Sequence, residues 1–382
     1  MALRMVLFLV VVLGLTFGLH YYLWVRLVRD TAMPAPWDRI LGFAIIGLGA
    51  MLPISMVVIR AAPRSVATPF AWVAYVWMGI MFLTFFSLLP LEVARFVGNK
   101  TVAVDPERRL ALARILGGLA GTAGLVLGAG GMVSALRSVA VEPVRVFLDR
   151  LKTGKSYKIV QISDVHVGPT IGKEFLEAVV ATINAEDADV VAITGDLVDG
   201  SVAQLGALVE PLRDIKAKHG VYFVTGNHEY YSGADEWIAH LATLGIRVLR
   251  NERLPIDGDA GFDLAGVDDT SAKGFGKGHG QDVARALEGR DPERAVVLLA
   301  HQPKAMGDAV KHEVDLQLSG HTHGGQIWPW GYLVRLDQGH VAGLAREAGT
   351  QIYVSRGTGY WGPPIRVGAS PEITRIEIVG TG

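Results

Sequence analysis

Residues 159–166 read Ile-Val-Gln-Ile-Ser-Asp-Val-His, an apolar run leading into an aspartate and a histidine two positions apart. The run Ile159 to Ile162 has the length and branched composition of a buried strand, so Asp164-Val165-His166 falls where that strand ends. The pattern recurs along the chain. Val190 to Ile193 precedes Gly195-Asp196-Leu197-Val198-Asp199, and Val221 to Val224 precedes Gly226-Asn227-His228-Glu229. Val296 to Leu299 precedes His301, and Leu316 to Leu318 precedes Gly320-His321-Thr322-His323. Helical runs are expected over Gly172 to Ala185, Val202 to Lys216, Asp235 to Leu244, Gln281 to Leu287 and Lys304 to Lys311. Strands alternating with helices predict an α/β fold, whose sites lie beyond the strand ends.

The residue types gathered there suit a pair of divalent cations. Two ions about 3.5 to 4 Å apart need a bridging carboxylate, with imidazole, carboxylate and amide oxygen completing each shell. Asp196 is the natural bridge. Asp164, His166 and His323 would hold one ion; Asn227, His301 and His321 would hold the other. Asp-X-His and His-X-His suit an extended backbone leaving a strand, where a nearby turn can bring i and i+2 into one cluster, and Gly195, Gly226 and Gly320 let the chain turn where a Cβ could clash. Asp199 and Glu229 could orient ligand histidines, though Asp199 could equally cap a following helix. Asp268, at the end of another short apolar run, is a further candidate for that supporting role.

These motifs resemble the calcineurin-like metallophosphoesterase family, most closely its membrane-associated branch of YkuE-type and YaeI-type bacterial phosphoesterases. The resemblance spans roughly residues 139 to 379 and extends to Ser163-Asp164, Gly226 to Tyr231, Leu298 to Pro303, Ser319 to Gln326, Tyr353 to Gly359 and Pro371-Glu372-Ile373. It implies a four-layer sandwich, two mixed β-sheets flanked by helices, with a pair of Mn²⁺, Fe or Zn²⁺ ions at the strand ends. It also implies that His228 is the catalytic histidine and not a ligand. The expected activity is hydrolysis of a phosphate ester or pyrophosphate by metal-activated hydroxide. His228 would donate a proton to the leaving group. Some relatives in this branch are linked to cleavage of nucleotide-sugar lipids of the cell envelope.

The first third is a different polypeptide. Met5 to Val25, Ile40 to Ile59, Ser65 to Leu91 and Ile115 to Leu136 contain no Asp, Glu, Lys or Arg, and each is long enough for a bilayer core of about 30 Å. The reading is an all-α bundle of four transmembrane helices over residues 1–138, followed by the catalytic domain over 139–382. The first span ends in His20-Tyr21-Tyr22 where a cleaved signal peptide would show small residues, so it is expected to remain as a helix. With no Asp, Glu, Lys or Arg in the spans a proton relay or ion pathway has little to work with, and they read as an anchor. Gly117, Gly118, Gly121, Gly124 and Gly128 give the last span a small-residue face for close packing or for a dimer. Arginines and lysines of the loops slightly favour a catalytic domain outside the cytoplasm. Val139 to Leu148 should be extended, and Pro143 suits an edge strand.

Over 382 residues the net charge is −1 and mean hydropathy is +0.33. No basic field argues for nucleic acid, which disfavours the alternative of a metal-dependent nuclease. A second alternative is a catalytically silent membrane sensor or scaffold, against which the complete ligand set counts. The absence of cysteine excludes disulfides and thiolate ligands. Arg356 is a candidate phosphate contact. Trp328 and Trp330, with Gln326, Tyr332, Tyr360 and Trp361, could form an apolar rim suited to an amphipathic lipid phosphate at the lipid bilayer. Packing of these rings against the sheet is the competing expectation. The loop from Ser271 to Gly280 could gate the site, and His279 and His340 could reach a substrate.

Overall fold

Apolar runs buried on both faces must be covered from both sides, and the strands of the second half show how. The computed structural model describes residues 2–101, 105–276 and 278–382. Two compact units divide the chain: residues 1–133 with 362–367, and residues 134–361 with 368–382. The second unit contains two six-stranded sheets. The first runs in the order Ala140–Leu148, Glu372–Gly380, Ser156–Ile162, Val190–Ile193, Val221–Phe223, Arg247–Val248. The second runs Gly343–Glu347, Thr350–Val354, Leu316–Ser319, Val296–Leu299, Phe262–Gly266, Glu252–Ile256. Both are mixed, and in each the central strands that end at the polar motifs lie parallel.

Alternation along each strand sorts side chains into three cores. Ile159, Val190, Ala192 and Tyr222 of the first sheet meet Leu264, Val297, Leu299, Leu316 and Tyr353 of the second in one buried cluster. Val160, Ile162, Val191, Ile193 and Phe223 face the other way, onto Leu176, Val180, Leu205, Trp237 and Leu241 of the helices Lys173–Asn184, Val202–Val209 and Ala234–Thr243. The outer face of the second sheet packs Val296, Leu298 and Ile352 against Val283, Met306 and Ala309. The result is the four-layer sandwich of helices, sheet, sheet and helices. Ala140–Leu148 is an edge strand, so Pro143, which lacks an N–H, weakens no central ladder.

The first unit holds the helices Ala2–Trp24, Trp37–Ala61, Arg64–Thr101 and Pro106–Leu136. Four spans within or overlapping them are long and apolar enough to cross a membrane: Val10–Arg29, Trp37–Ala61, Arg64–Val93 and Pro106–Leu136. The first continues through a π-turn, Val25–Arg29, and the third helix runs ten residues beyond the expected Leu91. Leu23, Met81, Leu88 and Ala120 form its core, and Trp77 Nε1 donates to His20 Nε2 at 2.8 Å. Of the five glycines expected to form the small-residue face, three are places of close approach: Gly117 lies against Thr31, Gly124 against Thr84 and Gly128 against Ile80. A Cβ on Gly118 or Gly121 would meet nothing within 4 Å.

Candidate metal centre

The strand ends carry a backbone signature that composition does not reveal. Asp164, His166, Asp196, His321 and His323 have φ of 53°, 53°, 52°, 70° and 51°, five of the twelve non-glycine residues with positive φ among the described residues. A left-handed L-residue costs roughly 1–2 kcal/mol and persists only where its surroundings hold it. The turn expected beside the extended backbone is made by left-handed steps at the motif residues themselves, which place Asp164 and His166 in one donor group and divide His321 and His323 between two. The loops clamp each other, Asp164 N–H donating to Gly195 O at 3.0 Å, His166 N–H to Asp196 O at 3.1 Å and Val167 N–H to Leu197 O at 2.8 Å. Gly195 turns at φ 88°. Gly226 and Gly320 serve close approach, since a Cβ would collide with Asp196 Oδ1 at the one and with Ser163 Oγ and Asp164 Oδ2 at the other.

Three groups able to hold a cation occur among the described residues: Asp164 with His166 and His323, Asp196 with His301 and His321, and a more open one of His166 with Asp199 and His228. In the first, His166 Nε2 and His323 Nε2 are 3.0 Å apart and His323 Nε2 lies 3.6 Å from Asp164 Oδ1. In the second, His301 Nε2 stands 3.1 Å from Asp196 Oδ2 and 3.2 Å from His321 Nδ1. Asp196 Oδ2 is also 3.9 Å from His166 Nε2, so this oxygen faces both groups. Asn227 Oδ1 is buried with no hydrogen-bond partner. Imidazole nitrogens converging at 3.0–3.2 Å and an orphaned amide oxygen are what cations would satisfy. His301 Nδ1 lies 2.7 Å from Thr194 O and His166 Nδ1 lies 2.9 Å from Asp199 Oδ1, which leaves each Nε2 lone pair to the cluster. Burial and the charge of His301 bring His321 down to about 3, a neutral, ligand-competent imidazole at pH 7.

Asp199 supports two rings at once. Its Oδ1 accepts from His166 Nδ1 and, at 2.7 Å, from His228 Nδ1. It does not cap the next helix, where Ser201 stands at the N-cap. Burial would raise the Asp199 carboxyl, but the two imidazoles hold it well below the usual carboxylate range. His228 is the converse case: burial opposes its charge, yet Asp196, Asp199 and Glu229 outweigh it and lift the ring to about 9. The His228 N–H donates to Asp196 Oδ1 at 2.9 Å, so the residue fixes the same carboxylate its ring faces.

Glu229 departs from its expected part. It binds main chain, accepting from Gly226 N–H at 2.7 Å, Leu197 N–H at 2.8 Å and Asp196 N–H at 3.0 Å, and so ties the Asp196 turn to the Gly226 turn. Burial and the Asp196 charge push its carboxyl up to about 7. Asp268 forms a two-bond ion pair with Arg250, at 2.9 and 2.7 Å, which also holds His279. Arg356 pairs with buried Glu372 at 2.5 Å and with Glu142 at 3.2 Å. His340 faces Glu347. Trp328 and Trp330 are exposed, not packed into the sheet. Lys277, in the loop expected to gate the site, lies outside the described residues. Beside His228 stand Tyr231 and Trp361, ring centroids 5.4 and 5.5 Å away. Trp361 is fixed by Gln326, whose amide donates to its carbonyl at 2.9 Å and accepts its N–H at 3.0 Å. Sequence reasoning missed the orienting role of Thr194, a main-chain carbonyl with no side-chain signal.

Comparison with known proteins agrees with this geometry. Residues 157–325 match the family described as calcineurin-like phosphoesterase. A transmembrane protein with metallophosphoesterase domain from Bos taurus is 40% identical over 304 residues, 76% of this chain and 67% of that protein. A Helicobacter pylori (strain J99) metallophosphoesterase is 39% identical over 251 residues, 65% of this chain and 66% of that protein, so the chain spans about two thirds of the length of these relatives. An Aquifex aeolicus metallophosphoesterase is 36% identical over 244 residues, 63% of this chain and 92% of its own length.

Proposed function

Because the chain belongs to the calcineurin-like metallophosphoesterase family, we propose that it is a membrane-anchored phosphoesterase. In this reading it uses two divalent cations to hydrolyse a phosphate ester or pyrophosphate bond of an amphipathic, lipid-linked or cell-envelope substrate. Manganese, iron and zinc all suit the donor set. The observation that carries the reading is Asp196 Oδ2, which faces both imidazole groups while His228 stands beside it. Asp164, His166 and His323 would hold one cation, Asn227, His301 and His321 the other, with Asp196 between them. When bound, the pair supplies a water acidic enough to act as nucleophile near neutral pH and neutralises charge on the phosphoryl oxygens.

The chain's own residues do the rest. His228 Nδ1–H is committed to Asp199, so Nε2, 4.0 Å from Asp196 Oδ2, is the atom that carries a proton to the leaving oxygen. Asp199 keeps that ring charged and oriented. Glu229 holds the Asp196 turn rigid, so the bridging carboxylate need not reorganise during turnover. Tyr231 and Trp361 flank the side from which the leaving group departs, and their exposed apolar faces suit a leaving group that is itself apolar or aromatic.

The test is turnover by the purified full-length chain in detergent, on a panel of lipid-linked and soluble phosphate mono-, di- and pyrophosphate esters, with and without chelator. Chelator-sensitive cleavage with preference for the lipid-linked members is expected. Cleavage of soluble esters alone would reject the substrate class, and no metal-dependent cleavage of any member would reject the activity.

A further inference from the structure

The helix Gly331–Gln338 is built the wrong way round for a surface helix. Tyr332, Leu333 and Leu336, spaced to share one face, are 70%, 51% and 84% exposed, while Gln338 is 3% exposed. Gln338 is held inward by polar bonds, its amide donating to Gln302 Oε1 at 3.3 Å and accepting from the Lys304 N–H at 3.4 Å. A helix on the surface of a soluble domain turns its apolar stripe inward. Here the one buried residue is a glutamine anchored by amides, and three large apolar side chains stand exposed beside Arg335 and Asp337. Trp328 and Trp330 precede the helix and Leu344 follows it, all three exposed. Single exposed apolar residues need no explanation, but six large ones within 17 residues, three of them on one helix face, are the concentration of apolar surface expected of a docking site.

We propose that this patch inserts into the interfacial region of a lipid bilayer and is a second point of membrane contact, distinct from the spanning helices. The composition is that of an interfacial element, aromatic rings beside aliphatic side chains on a short helix lying in the plane. The occupant is argued from the chain itself. Four helices are long and apolar enough to cross a membrane, and the last of them ends at Leu136, four residues before the first strand begins at Ala140. Four steps of extended chain reach at most about 15 Å, so the covalent connection keeps a bilayer at high effective concentration. Charge does not drive the contact. Arg335 and Arg346 are offset by Asp337 and Glu347, so docking should not require anionic lipid.

The absence of cysteine makes a direct test clean. Leu333→Cys, Leu336→Cys and, as control, Glu174→Cys on the exposed face of the helix Lys173–Asn184 are labelled with an environment-sensitive fluorophore. The full-length chain is reconstituted in phosphatidylcholine nanodiscs with or without a nitroxide-labelled lipid. Blue-shifted emission at 333 and 336, lost on adding nitroxide lipid and unchanged at 174, is expected. Solvent-like, unquenched emission at 333 and 336 would overturn the proposal. So would a blue shift indifferent to nitroxide lipid but growing with protein-to-lipid ratio, which would assign the patch to a second copy. The label reads contact and not turnover, so neither outcome bears on the proposed catalysis.

Discussion

Replacing Asp199 by asparagine isolates one oxygen that serves two rings. Asp199 Oδ1 accepts from His166 Nδ1 at 2.9 Å and His228 Nδ1 at 2.7 Å. Asparagine keeps an acceptor of the same shape but removes the charge. A hydrogen bond to a charged group contributes about 1.5–3 kcal/mol and a neutral one about 0.5–1.5 kcal/mol, so each ring loses about 1 kcal/mol, roughly a five-fold effect. At His166 the loss falls on a metal ligand, and mutation of such supporting groups costs about 10- to 100-fold in affinity or activity; the shape-conserving asparagine should lie near the lower end. At His228 it falls on a proton donor, raised to about 9 by Asp196, Asp199 and Glu229 against the opposing effect of burial. Activity requiring protonated His228 is present below that value and lost as pH rises through it, so removing one carboxylate charge moves the alkaline limb to lower pH. The assay has two readouts: metal retained across a series of metal-buffered solutions, and the pH profile of kcat at saturating metal. Unchanged affinity together with an unmoved alkaline limb would refute the reasoning.

His228→Ala should retain its metals, as elemental analysis reads, while kcat falls by about 10²- to 10⁴-fold; loss of metal would make the ring a ligand. Asp196→Asn should lose both ions and all turnover in the same two measurements. Gly226→Ala, whose Cβ would collide with Asp196 Oδ1, should bind metal far more weakly than the parent in spite of touching no proposed ligand through a polar atom. Glu229→Ala leaves three buried N–H groups unpaired at about 1–3 kcal/mol each, so a thermal melt should show severe destabilisation, which a parent-like melting temperature would contradict.

The central strands were legible because they are covered on both faces. Val190–Ile193, Val296–Leu299 and Leu316–Ser319 therefore carry an apolar-rich signal that needs no knowledge of partners. Elements that depend on distant partners or on local chemistry were not legible. The C-terminal strand Glu372–Gly380 lies between the strands beginning at Ala140 and Ser156, parallel to one and antiparallel to the other, and nothing local encodes either pairing. Gly343–Glu347 is largely exposed and shows no apolar run. The expected single helix over Val202 to Lys216 breaks after Val209 into a 3₁₀ turn, Glu210–Asp214, because Pro211 has no N–H to continue it. The helix Asn227–Ser232 is too short for a periodicity and begins on a residue chosen for its amide oxygen.

Within the site the same division separates side chains from backbone. Which residues could bind cations was visible from their types and order, since aspartate, asparagine and histidine follow five separate apolar runs. How they converge was not, because a left-handed φ, though commoner at Asp and His than at most residues, is not dictated by residue type at Asp164, His166, Asp196, His321 and His323. These conformations oppose folding. Much of the opposing hold comes from outside the ligand set. Glu229 gathers the N–H groups of Asp196, Leu197 and Gly226, and Asp199 steers two rings. Thr194 O orients His301, and the His321 N–H binds both oxygens of Asp164 at 2.9 and 3.0 Å. Every one of those restraints is a hydrogen bond made by main chain or accepted by a carboxylate. They hold the site by geometry that the domain maintains itself, so the cations meet donors already placed and their binding energy is not consumed in ordering five loops.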